Sequence, residues 1–232
     1  MNIEAVKRVA VLADGLRSRM YGFIRERRLP VTRDEAAAAV GISRKLAAFH
    51  LDKLVAAGLL DAHYAHPPGR GGPGAGRTSK LYQPSDVEIQ LSLPQRHYDI
   101  CAEILLDALQ TLGADEAPEK AVIRVASAYG RALGEDVRGR QNRASINDPI
   151  FLLIKVLREL GFEPYLDEDD RALRLHNCPF KSLAQRSPAV VCGMNRSFIE
   201  GLVKPLAHAD IEVILEPRPG ECCVAVLDPK RA

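Results

Sequence analysis

Tryptophan is absent from this 232-residue chain, and aromatic residues make up only 5% of it. No apolar run approaches the roughly 18 consecutive residues a membrane-spanning helix needs, because charges interrupt every one. The N-terminal stretch carries Glu4, Lys7, Arg8 and Asp14, which break up any secretory signal core. A cytoplasmic protein is expected. A large excess of one charge is also lacking: 32 Lys+Arg stand against 30 Asp+Glu, and together with 47% hydrophobic residues this excludes a disordered chain. The length suits one large domain or two modest ones. CxxC knuckles are missing, which disfavours ordinary structural zinc. So is a phosphate-binding loop, since the glycines at 69–76 lack the Lys-Ser/Thr that must follow them.

The small net charge of +2 conceals an asymmetry. Residues 1–85 hold 14 Lys+Arg and 7 Asp+Glu, which makes +7, and the remainder holds 18 and 23, which makes −5. A basic front half suggests an anionic partner, nucleic acid being the common case. Cysteine is missing from that half altogether. One is Cys101, and Cys178, Cys192, Cys222 and Cys223 fall in the last quarter. In a reducing cytosol, clustered cysteines are ligands or redox groups more often than disulfides.

Val6, Val9, Ala13, Leu16, Met20 and Phe23 recur at steps of three and four, predicting one long first helix that ends before Pro30. Thr32 followed by Glu35 reads as a capping box opening a short, alanine-rich second helix halted at Gly41. Ser43 caps a third, with Ala47, Leu51 and Leu54 inward and Gly58 as its stop. Two helices around a tight glycine turn have the layout of a helix-turn-helix. Candidate DNA-contacting residues on the reading helix are Ser43, Arg44, Lys45, Ala48, Phe49, His50 and Lys53. Each has a bland counterpart: the cations suit any solvated helix face, His50 can fill a flank, and Phe49 either meets a thymine methyl or packs locally. The runs LLDAHYAH and SKLYQP then read as two strands around a Gly/Pro-rich loop, whose Arg70 and Arg77 suit phosphate contacts.

GISRKLAAFHLDKLVAAGLL followed by GRTSKLYQPS resembles the winged helix-turn-helix transcriptional regulators of the ArsR/DeoR-like bacterial groups. The resemblance covers roughly residues 20 to 85. It implies a helix over 43–57 in the major groove of a double-stranded operator, with the hairpin as a wing.

Past Pro94, Tyr98, Cys101, Leu105, Ala108 and Leu112 share one helical stripe, on which Cys101 reads as a small buried residue. A second helix is expected over about 117–138, and a third from Asp148-Pro149 to Gly161, with Ile150, Leu153, Leu157 and Leu160 inward. In regulators of this kind such helices often carry the dimer contact, so a homodimer is expected. FEPYL and RALRL read as one strand pair, IEVIL and CCVAVL as another, with the helical stretches KSLAQR with SPAVVC, and NRSFIEGLVKPL, between them. The predicted organisation is mainly α with α+β: a winged helix-turn-helix domain at 1–88, a helical dimerisation spacer at 89–146 and a small α+β sensor domain at 147–232.

Thiolates from separated segments are how a chain surrounds a soft metal or a cluster. Thirteen residues separate Cys178 from Cys192, and 29 separate Cys192 from Cys222. Because neighbouring strand residues face opposite ways, Cys222 and Cys223 are not expected to enter one site together, and Cys222 is the preferred one. The run NCPFKSLAQRSPAVVCGMNRSFIEGLVKPL, continued by PRPGECCVAVL, resembles the sensor region of the iron–sulfur-cluster assembly repressors, the SUF regulators. That resemblance implies a [4Fe–4S] cluster on Cys178, Cys192 and one of Cys222/Cys223, with DNA affinity set by its integrity. The full pattern has a further cysteine, missing here between Gly193 and Glu221; His176 is the candidate fourth ligand. Competing readings are buried structural cysteines, a metal-free dithiol switch, and an organic effector in a pocket lined by Ile150, Leu153, Phe162 and Phe198. Catalysis is not expected, because Cys178 and His176 come with no evident carboxylate to orient the histidine.

Overall fold

The structure, a computed structural model, describes residues 3–66, 78–140, 149–167, 172–206 and 210–228. It is mixed α and β with two small antiparallel sheets, and the chain falls into two compact units, Asn2–Leu91 and Ser92–Ala232.

In the first unit the expected single opening helix is two. Helix α1 (Ile3–Ala10) runs through a short 3-10 turn (Val11–Ala13) and stops at Asp14, where α2 (Gly15–Arg27) begins. The reason is local: Asp14 adopts an extended backbone and its Oδ1 accepts from the amides of Leu16 and Arg17, each at 3.0 Å. A short acceptor side chain in this position competes with helix continuation. The break shifts the helical phase, so Met20 and Ile24 are buried while Ala13 is exposed.

Strand β1 (Val31–Thr32) comes next, too short for any alternation to announce it, and then α3 (Arg33–Val40) and α4 (Arg44–Ala56). The Thr32–Glu35 capping box forms: Glu35 N donates to Thr32 Oγ1 at 3.2 Å and Thr32 N to Glu35 Oε2 at 2.8 Å. Gly41 closes α3 at φ +70, a left-handed conformation that costs glycine little, and lets Ile42 N reach back to Ala37 O. Ser43 Oγ accepts from Leu46 N and starts α4. Strands β2 (Leu60–Ala65) and β3 (Ser79–Pro84) pair with Leu60 opposite Pro84, and β1 adds to β3, giving the order β1-β3-β2. Met20, Ile24, Val31, Ala36, Ala47, Leu51, Leu54 and Tyr82 form the core beneath.

The second unit holds α5 (Tyr98–Gln110), α6 (Pro118–Arg140), α7 (Pro149–Glu159), β4 (Pro164–Asp167), β5 (Ala172–Leu175), α8 (Lys181–Arg186), α9 (Pro188–Leu206), β6 (Glu212–Leu215) and β7 (Val224–Leu227). Its sheet runs β4-β5-β7-β6, antiparallel throughout. The capping residue expected for α7, Asp148, lies outside the described residues. SPAVVC does not stay with KSLAQR but runs on into NRSFIEGLVKPL as one helix, α9.

Helices α5 and α6, expected to form a separate spacer, share one core with the rest of this unit. Cys101, Ile104, Val122, Ala126, Leu153, Phe162, Phe198, Leu202 and Val226 belong to it together. The closest packing is of α6 on α9. A Cβ on Gly130 would stand 2.0 Å from Phe198 O, and one on Gly201 would stand 2.1 Å from Ser127 O, so the two backbones meet where only glycine fits. Among the described residues, no helix is long and apolar enough to cross a membrane.

Candidate functional site

Two features carry chemistry, one in each unit. On α4, Ser43, Arg44, Lys45, Phe49 and Lys53 are exposed and Ala48 is half-buried. Arg44 Nε pairs with Asp34 Oδ1 of α3 at 2.5 Å, an exposed pair of little energetic weight. Lys53 Nζ lies 5.7 Å from the centroid of the Phe49 ring, and Phe49 itself is 54% exposed. A cationic helix face with an apolar tip can meet phosphates and a base methyl together. Leu46, 39% exposed beside them, belongs to the same face and was not singled out from the sequence.

His50 is a correction. Its side chain is buried at 5% exposure, with Nδ1 lacking a hydrogen-bond partner and 3.9 Å from Asp14 Oδ1. It packs against the Asp14 turn and is not on the exposed face. Arg70 and Arg77 lie outside the described residues.

The second feature is sulfur. Cys178 follows β5, Cys192 lies in the first turns of α9, and Cys222 and Cys223 immediately precede β7. The expected alternation of Cys222 and Cys223 does not apply, because the strand starts only at Val224. Backbone hydrogen bonds fix this bend: Cys222 N donates to Leu175 O at 2.9 Å and Glu216 N to Cys223 O at 2.8 Å. Both thiols therefore reach the same group. Side-chain hydrogen bonds join Cys178 to Cys222, Cys222 to Cys223 and Cys223 to Cys192.

Proton affinity is distributed unevenly along this chain of four. Hydrogen bonds from Cys222 and then Cys192 bring Cys223 down to about 6 against the cost of burial. Burial, reinforced by the bond to Cys223, pushes Cys192 up to about 12. Cys178 is lowered by its bond from Cys222, and Cys222, serving both neighbours, is raised well above the ordinary thiol value. One S–H cannot donate to two sulfurs at once, so the four titrate as a set. Cys101 stands apart: it is buried in the core, its Sγ 3.8 Å from Met194 Sδ, and burial raises it.

Asn195, three residues after Cys192 on α9, completes the group. Its Nδ2 donates to Cys222 Sγ at 3.2 Å, and the residue is 1% exposed. An asparagine inside the apolar run of α9 was the available sequence signal. His176, the expected fourth ligand, faces elsewhere: its ring stacks on Tyr165 at 3.9 Å, and Nδ1 is 4.0 Å from Glu221 Oε1. The fourth thiol of the group is that of Cys223. Glu221 also supplies a carboxylate beside His176, which the sequence did not suggest.

As a donor set, four sulfurs from three segments suit an iron–sulfur cluster in type and number. Asn195 Oδ1 is buried without a hydrogen-bond partner. Among the described residues, no three or more His, Cys, Asp or Glu side chains are disposed to hold a metal ion. All four cysteines are free thiols.

Ile150, Leu153, Phe162 and Phe198, which could line a pocket in the competing organic-effector reading but more often fill a core, do belong to the core. An apolar cavity of about 280 Å³ lies elsewhere in this unit, lined by Leu105, Ala108, Leu109, Leu112, Pro118, Glu119, Val122 and Val190. Comparison with protein-family models gives no match, and comparison with curated proteins gives none either.

Proposed function

We propose that the protein is a cytoplasmic DNA-binding transcriptional regulator, homodimeric, whose operator affinity is controlled through Cys178, Cys192, Cys222 and Cys223. The first unit is then a winged helix, with α4 as the reading helix and the β2–β3 hairpin as the wing. Its support is the α3–Gly41–α4 turn, the exposed Arg44, Lys45 and Lys53, and the net basic charge of the front half. Leu106 and Leu109, exposed on α5, suit a self-association surface.

The observation that carries the sensing half is the gathering of four sulfurs from three separated segments. These cysteines would hold a [4Fe–4S] cluster, which when bound supplies sensitivity to oxidants and iron supply. The chain's own part is to fix the sulfurs: the Cys222 and Cys223 backbones are tied to β5 and β6, and Asn195 donates to Cys222. Burial of Cys178 and Cys222 keeps water from that end of the group. Without cluster, the same thiols remain a redox-active set.

The test is anaerobic reconstitution with iron and sulfide, followed by visible absorbance, iron and sulfide assay, and operator binding at fixed salt. A brown protein whose DNA affinity changes on cluster loss is expected. A colourless, iron-free product overturns cluster sensing.

The 280 Å³ apolar cavity favours a second reading, an organic effector bound between α5 and α6. Cys178→Ala with Cys192→Ala separates the two: unchanged operator control supports the effector.

A further inference from the structure

Asn195 is placed on the core-facing side of α9, where Met194, Phe198 and Ile199 are fully buried around it. Only one end of its amide is used. Nδ2 donates to Cys222 Sγ at 3.2 Å, while Oδ1 is buried without a hydrogen-bond partner. Either orientation of the amide leaves one end unpartnered, and a buried polar atom without a partner is destabilising. An apolar side chain of the same size would serve packing better. The asparagine is therefore accounted for by what it does to the sulfur.

We propose that Asn195 is a positioning residue for Cys222: it fixes Sγ as a cluster ligand and stabilises its electron-rich form through the N–H···S hydrogen bond. The proposal rests on the reading in which these sulfurs hold a [4Fe–4S] cluster. Hydrogen bonds to ligand sulfurs are among the determinants of a cluster's reduction potential, and residues that orient ligands affect retention nearly as much as the ligands do. Cys222 is the sulfur served by this side chain. Its backbone amide is also tied to Leu175 O, so the ligand is held from two directions.

The test compares Asn195→Leu, similar in volume but without a donor, and Asn195→Ser, which replaces the amide with a shorter hydroxyl donor, with the unaltered protein. All three are reconstituted anaerobically. Iron release to a ferrous chelator should be about tenfold faster for Asn195→Leu, and its midpoint potential should shift to a more negative value. Asn195→Ser should fall between. The cluster-free Asn195→Leu protein should melt no lower than the unaltered one, because an apolar side chain replaces a half-satisfied buried amide.

Equal release rates and equal potentials for Asn195→Leu overturn the proposal while leaving the cluster reading intact, as does a lower melting temperature with unchanged release. If Asn195→Leu does not fold, Asn195→Ser decides by the same two measurements. Failure of the unaltered protein to take up iron and sulfide overturns the cluster reading itself, and this proposal with it.

Discussion

The two units keep their chemistry in opposite places. In Asn2–Leu91 the residues proposed to act stand on the outside of α4, and the core below is made of Ala, Leu, Ile, Val and Met with Tyr82. In Ser92–Ala232 the groups proposed to act are inside: Cys178 and Cys222 are buried, Cys192 and Cys223 half-buried, and Asn195 is nearly inaccessible. An outer face tolerates charge and needs only a helix to carry it. An inner site needs the whole tertiary arrangement, and its polar groups are exposed to desolvation and to one another. The first unit can therefore be altered in function without loss of fold, and the second much less so.

Gly130→Leu should break the second unit most severely. With Phe198 O at 2.0 Å from even a Cβ, α6 and α9 must separate, at about 3 kcal/mol or more. Thermal melting of the full chain checks this, and an unchanged profile would contradict the close helix contact. On the first unit, Arg44→Glu with Lys45→Glu should leave melting almost unchanged. Operator binding should weaken by roughly 10- to 100-fold, with the salt slope reduced by about two. Fluorescence anisotropy over a salt series measures both, and unaltered affinity would remove α4 as the reading helix.

A smaller effect concerns the thiols in cluster-free protein. Cys223, lowered to about 6, should be alkylated at neutral pH well ahead of Cys192, raised to about 12. Mass mapping after a short iodoacetamide pulse at several pH values should show Cys223 modified at lower pH than Cys192. The sign for stability follows. A depressed Cys223 stabilises fully above its ordinary 9.0, and that contribution is lost as pH falls from there through about 6. Cys192 acts oppositely, its contribution present below 9.0 and lost as pH rises towards 12. Equal alkylation of the two would dismiss the hydrogen-bonded chain. The smallest effect should come from Thr32→Ala, which removes the α3 cap at about 1 kcal/mol, read from a denaturant midpoint.

Legibility followed the range of the interactions involved. The capping box at Thr32, the glycine turn at Gly41 and the Ser43 cap were readable because each is settled within four residues. The break at Asp14 was equally local, yet the apolar periodicity running across it concealed a short acceptor side chain. Strand β1 was missed because two residues cannot show a pattern, and only pairing with β3 makes them a strand. His50 was placed on the reading face by spacing, but Asp14, 36 positions away, sits beside it.

The cysteines show the division most clearly. The sequence by itself determined which residue types were available: soft sulfur donors confined to one unit, a cationic helix confined to the other, and the local signals that start and stop the helices. Only the tertiary structure decided that Cys222 and Cys223 act from a bend and not from alternating strand positions, that His176 turns to Tyr165 and Glu221, and that Asn195 meets Cys222. Residue chemistry and short-range hydrogen bonds are written in neighbouring positions. Convergence of groups 11 to 45 residues apart depends on how sheet and helix pack, which no local spacing encodes.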